Sequence, residues 1–202
     1  MSVDQREILA QAAQRRQQAL AIAAELGLLE RWGRFGRPVI VGAVAHGLVC
    51  APDIDMEIYC PKLNIAHGFE VLAQCAAGSR RVSAVYFENH LHDADKALYW
   101  QIKYRDDQDV EWKVDMWSAP DDYALPRGEH LIAPLAGVMT DELRAAILAL
   151  KQELRASDAV SCLSIDLYRA VVDGGVRDMA QLRRWMDDNP IGQLSDWLPA
   201  AR

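Results

Sequence analysis

Apolar positions in the first thirty residues recur at helical spacing. Ile8, Ala12, Ala19, Ile22, Leu26 and Leu29 stand three, four or seven apart, which predicts an amphipathic helix over 3–26. Arg15 interrupts the stripe, so that face is expected to be only partly buried, and Gly27 offers a C-terminal cap. After Gly33, Gly36 and Pro38 the pattern changes. PVIVGAVAHG reads as a short buried strand, a turn and a brief helix. DIDMEIYC, residues 53–60, alternates acid with apolar, the period of a half-buried strand. A helix is expected near 64–76, and three further strands at 81–87, 97–105 and 110–117. ENHLHDADK reads as a polar hairpin loop and DDQD, 106–109, as a tight acidic turn.

From residue 120 onward the pattern is helical. Thr140 caps a helix with Asp141 and Glu142 in its first turn, running to about Arg155. A second covers roughly 160–172 and ends at Gly174-Gly175. A third starts behind Asp178 and stops before Asn189-Pro190. This order predicts an α/β (α+β) fold, a mixed sheet flanked by helices with a C-terminal helical tail. The expected divisions are an N-terminal helix and linker (1–36), a core (37–119) and a helical region (120–202).

Composition narrows the classes. The chain has 202 residues, half of them hydrophobic, and a formal charge of −7. That charge argues against a broad nucleic-acid footprint, so a small-molecule or protein partner is expected. No apolar run approaches the roughly 20 residues of a membrane span. The N-terminal residues carry an early acid and lack the basic-then-apolar order of a signal peptide, so a cytoplasmic location is expected. Cys50, Cys60, Cys75 and Cys162 form no CxxC pair and read as reduced core residues.

The chemistry concentrates in residues 41–60. Asp53, Asp55 and Glu57 share one strand face, while Ile54, Met56 and Ile58 point into the core. Adjacent carboxylates repel, and a divalent cation relieves the repulsion. In VEWKVDMW, Val110, Trp112, Val114 and Met116 form the expected buried face, with Glu111, Lys113, Asp115 and Trp117 opposite. Asp115 on a neighbouring strand would complete a three-carboxylate cluster suited to two magnesium ions and phosphoryl or nucleotidyl transfer. Upstream, Gly42-Ala43 opens a short helix whose backbone N–H groups could meet triphosphate oxygens.

Residues 39–60 and 110–117 resemble the nucleotidyltransferase superfamily (the DNA polymerase beta-like minimal fold). Its signature is a strand, Gly-Ser, a short helix, Asp-x-Asp on a strand and a third acid on a later strand. Residues 140–185 resemble the helical tail of small bacterial relatives. The resemblance implies that Asp53, Asp55 and Asp115 are metal-binding and catalytic, and that Gly42 and Ala43 lie against the nucleotide. It also implies AMP transfer from ATP to a hydroxyl. Ala43 stands where the family has serine, which favours a rival reading: a catalytically inactive nucleotide- or partner-binding module on the same fold. The intact acid set favours catalysis. A regulatory or toxin–antitoxin protein that modifies another protein is a third reading.

Other residues carry alternatives. Lys113 meets either substrate phosphate or the carboxylates beside it, and Glu57 is expected to support the pair. His90, His92, Asp93 and Asp95 could form a separate metal cluster but read first as solvated loop residues, and His46 could approach a substrate but reads equally as a surface or capping residue. Arg31, Arg34, Arg37, Lys151 and Arg169 could each neutralise phosphate but read individually as solvated. Tyr99, Gln101 and Lys103 are expected to line a cleft, and Trp100, Trp112 and Trp185 to be core.

Overall fold

A computed structural model describes residues 2–156 and 161–200. In chain order its elements are α1 (Val3–Glu25), α2 (Leu28–Gly33), β1 (Arg37–Val41), α3 (Gly42–His46), β2 (Asp53–Cys60), α4 (Ile65–Gly78), β3 (Val82–Asn89), β4 (Leu98–Arg105), β5 (Glu111–Pro120), α5 (Gly128–Val138), α6 (Asp141–Ala156), α7 (Ser164–Val172) and α8 (Met179–Asp188).

The strands form one mixed sheet in the order β1-β2-β5-β4-β3. β2 and β5 run parallel at its centre, and every other neighbouring pair is antiparallel. One face of the sheet is apolar. Ile54, Met56 and Ile58 of β2, Trp100 and Ile102 of β4 and Val114 and Met116 of β5 are fully buried there. They pack against the second half of α1, α2 and α4. A second cluster joins Ala12 and Leu48 to α5–α8. α1 contributes to both clusters.

Several expectations need correction. Gly27 adopts φ +60°, and beyond it the chain starts α2, so Leu29 leaves the α1 stripe and is 48% exposed. β1 is an edge strand in which only Val41 is fully buried, not a buried strand. Val110 is 39% exposed instead of buried. It belongs to the β4–β5 turn, where Asp106 Oδ1 accepts the N–H groups of Gln108 and Val110. Helix does not begin at 120: Pro120 and Pro126 bracket an irregular stretch, and α5 starts at Gly128. The helix expected over 160–172 runs Ser164–Val172, and its residue 160 lies outside the described residues. Cys60 and Cys75 are buried, but Cys50 and Cys162 are only half-buried, as is Trp185. The Thr140 cap is present, its hydroxyl accepting the Leu143 N–H.

Candidate active site

The parallel register of β2 and β5 sets Asp55 opposite Asp115 and Asp53 opposite Lys113. Strand alternation turns all four side chains to the face away from the apolar core. One carboxylate oxygen from each of Asp53, Asp55 and Asp115 lies within 4.8 Å of the others. The pleat is held rigidly, because the intervening Ile54 and Val114 are completely buried.

Concentrated negative charge perturbs the site. Burial, then repulsion from Asp53 and Asp115, pushes the Asp55 carboxyl up to about 7. Burial likewise raises Asp53, against the attraction of Lys113. Lys113 Nζ lies 2.6 Å from Asp115 Oδ2 and 3.7 Å from Asp53 Oδ1. The longer distance exceeds a hydrogen bond, and Asp53 Oδ1 is buried without a hydrogen-bond partner. Asp115 Oδ1 accepts from Tyr99 Oη at 2.7 Å and Gln101 Nε2 at 2.9 Å. Three oxygen donors, an orphaned buried oxygen and an incompletely neutralised charge fit a hard divalent cation. Gly42 belongs to this geometry. It sits at φ +60°, and a Cβ there would come within 2.3 Å of Asp55 Oδ2.

A cavity of about 410 Å³ opens beside Asp53 and Asp55. Gly42, Ala43 and His46 line one side, and Lys151, Arg155 and Tyr168 of the tail helices line the other. The Lys151 ammonium lies 3.4 Å from the Tyr168 hydroxyl. Burial, aided by Lys151 and Arg144, lowers His46 to about 4, so its ring is neutral at pH 7. α3 is fixed at its C-terminal end, where Arg16 Nε donates to Val44 O at 2.7 Å and Arg144 donates to His46 O.

The structure therefore brings Asp53, Asp55, Asp115, Lys113 and Gly42 together. Ala43 lines the cavity, whereas Lys113 binds the carboxylates instead of facing that cavity. Of the clefted trio, Tyr99 and Gln101 orient Asp115, while Lys103 pairs with Glu111 at 3.0 Å. Glu57 accepts the N–H groups of Gly128 and Glu129 and so caps α5. His90 bonds Asp93 and Glu88, so it is not simply solvated. Arg31, Arg34, Arg37 and Arg169 are spent on other contacts, such as Gln74, Glu70, Glu129 and Asn189. Lys151 alone of those five cations faces the cavity, correcting its solvated reading. Sequence reasoning did not single out Tyr168. Its one signal is a hydroxyl-bearing residue in the mostly apolar helix stretch Leu167–Val172.

No protein-family model matches the chain, and no curated protein matches it significantly. Solved structures do. Cid1, described with RNA terminal uridylyl transferase activity, aligns with TM-score 0.56 and 13% identity, over 78% of this chain and 46% of that one. A cytoplasmic RNA terminal U-transferase aligns with TM-score 0.53 and 11% identity, over 78% and 46%. Cid1 in complex with the UTP analog UMPNPP aligns with TM-score 0.54 and 10% identity, over 80% and 48%. The chain spans about half the length of these structures. At such identities the likeness is one of architecture, and with the five-stranded mixed sheet it shows that this chain has the nucleotidyltransferase fold.

Proposed function

We propose that the chain is a divalent-metal-dependent nucleotidyltransferase, moving a nucleoside monophosphate from ATP or another nucleoside triphosphate to a hydroxyl. The observation that carries this reading is the convergence of Asp53, Asp55 and Asp115, the first two lining a cavity that Lys151 also lines. Asp53, Asp55 and Asp115 would hold the magnesium ions, which when bound supply charge neutralisation at the reacting phosphate. The triphosphate lies in the cavity between the Gly42-Ala43 turn and Lys151, whose ammonium offsets phosphate charge. The acceptor oxygen bonds to the α-phosphorus, the α–β phosphoanhydride bond breaks and pyrophosphate leaves. Asp115, oriented by Tyr99 and Gln101, takes the hydroxyl proton. The acceptor is a small molecule or a protein.

Ala43 supports a second reading, a nucleotide-binding module without turnover, because it provides no hydroxyl to the phosphates. Titration with Mn2+ and an assay of pyrophosphate release from each nucleoside triphosphate test both readings. Wild-type protein is expected to bind Mn2+, and Asp53→Asn and Asp55→Asn to lose binding and turnover while melting no lower, since like-charge repulsion is relieved. Absence of Mn2+ binding at millimolar concentration would sink the metal site. Metal and nucleotide binding without pyrophosphate release would favour the module.

A further inference from the structure

The sheet face that carries the aspartates continues past them. On β2 the residues after Asp55 on that face are Glu57 and Tyr59, and on β5 those after Asp115 are Trp117 and Ala119. Two residues of a strand rise about 7 Å, so Trp117 stands one pleat from the third carboxylate. There the structure holds a second pocket of about 240 Å³, walled by Tyr59, Trp117, Tyr123 and Leu194, with Glu57 and Asp95 as its carboxylates. Its volume exceeds the roughly 150 Å³ of a cavity that takes one benzene ring, so a ring compound fits.

The two carboxylates differ. Glu57 is saturated, accepting from Gly128 N at 2.7 Å, Glu129 N at 3.1 Å and Tyr59 Oη at 2.5 Å. Asp95 has one long contact, 3.4 Å from the Tyr123 hydroxyl, and forms no ion pair among the described residues. A half-buried carboxylate without a counterion, set among aromatic rings, favours a cation over a neutral or anionic guest. Next to the pocket, Glu88 and Asp93 hold His90 against Trp117, ring centroids 5.4 Å apart, and the arginines that lie over Tyr59, Arg37 and Arg127, are both paired with Glu129 and not with Asp95. The C-terminal segment borders the pocket through Leu194, which is 67% exposed. Gly192 N–H donates to Asp166 at 2.8 Å and Trp197 Nε1 to Asp173 at 2.7 Å, fixing the chain on both sides of Leu194.

We propose that this pocket is the acceptor subsite and takes a ring compound carrying a protonated amine. The ring rests against Trp117, the amine meets Asp95, and a hydroxyl reaches back toward Asp115. The proposal rests on the nucleotidyl-transfer reading only for the word acceptor. In that reaction the hydroxyl oxygen gains the nucleoside monophosphate, pyrophosphate departs and the proton passes to Asp115. The volume of about 240 Å³ and the Asp95 carboxylate, which would meet phosphate with like charge, disfavour a polynucleotide as the occupant.

The test uses the full chain without metal or nucleotide, so that it does not depend on the metal site. Tyramine, 4-ethylphenol (the same ring without the amine) and hexa-adenylate are titrated by calorimetry or ligand-observed NMR at pH 7.5. Tyramine is expected to bind at least tenfold more tightly than 4-ethylphenol, about 1.4 kcal/mol. Asp95→Asn should remove that advantage and leave 4-ethylphenol unchanged. Trp117→Leu should weaken both, with melting temperature checking the fold of each variant. Equal affinity for the two phenols, no tyramine binding, or indifference to Asp95→Asn overturns the cation pocket. Tighter binding of hexa-adenylate that Trp117→Leu abolishes overturns it in favour of an RNA end. Mn2+ titration of the same samples separates the two levels: tyramine binding without Mn2+ binding upholds the pocket and removes its role as acceptor site.

Discussion

Gly42 sits at φ +60° with its α-carbon against the Asp55 carboxylate, so a single missing Cβ allows strand β1 to turn without blocking the acids. Individual residues around it were unevenly legible. The facing of Asp53, Asp55 and Asp115 follows from strand alternation alone, whereas partnership does not. Nothing in the spacing says that Lys113 will bind Asp115, or that Tyr99 and Gln101 will share one oxygen of it, because those contacts depend on sheet order. His46 is the clearest such case. It reads as a surface residue, yet burial holds it at about 4, below the ordinary histidine value of 6.5. The unfolded chain then binds a proton between about pH 6.5 and pH 4 that the folded chain refuses. Its contribution is complete above pH 6.5 and is lost as pH falls through that window. At pH 5 the loss is on the order of 1–2 kcal/mol. Denaturant unfolding of wild type and His46→Gln at pH 7.5 and 5.0 checks it. Asp55 titrates with the opposite sign but is common to both proteins, so the difference between them isolates His46. A gap between the two that does not change with pH refutes the assignment.

Elements were more legible than their ends. Strand periods placed β2, β4 and β5 closely because buried and less buried positions alternate throughout β4, along most of β2 and through the start of β5. α2 escaped, and α5, inside the stretch expected to be helical, lacked bounds, for separate reasons. α2 is a six-residue helix, too short to show a period, and α5 is capped from a distance by Glu57 instead of by its own preceding residue Arg127. Helix α4 shows how an element docks. Its Gly68 lies on the Trp100 indole, where a Cβ would come within 2.2 Å of a ring carbon. Trp100 cannot retreat, since its Nε1 donates to Ser118 Oγ at 3.1 Å and its ring stacks on Phe87 at 4.4 Å. Gly68→Ala gains helix propensity of about 1 kcal/mol, yet overpacking costs about 1–3 kcal/mol and here belongs at or above the upper end. A net fall in melting temperature of several degrees is expected. A variant that melts at or above the wild-type temperature would show that α4 can slide off the sheet freely.

At the scale of the whole molecule, the cavity lies where two apolar clusters meet. The sheet with α1, α2 and α4 forms one, and the tail helices form the other. Neither wall of the cavity is useful alone: the sheet side supplies Gly42, Asp53 and Asp55, and the helical side supplies Lys151 and Tyr168. A triphosphate held between them draws on charges from both, so its binding energy also resists separation of the clusters. Ligand at a hundred times its dissociation constant stabilises the folded state by about 2.7 kcal/mol. For a chain of this size that corresponds to about 5–10 °C in melting temperature. ATP with magnesium should give this shift, and ATP with chelator should give much less, because the acids then repel the phosphates. Lys151→Met should melt near the wild type without ligand yet lose most of the magnesium-ATP shift, which distinguishes a phosphate contact from a packing role. If no magnesium–nucleoside triphosphate moves the melting curve at millimolar concentration, the cavity does not hold a triphosphate. If the shift survives Lys151→Met undiminished, the nucleotide is held by the sheet wall alone and the tail is no part of its site.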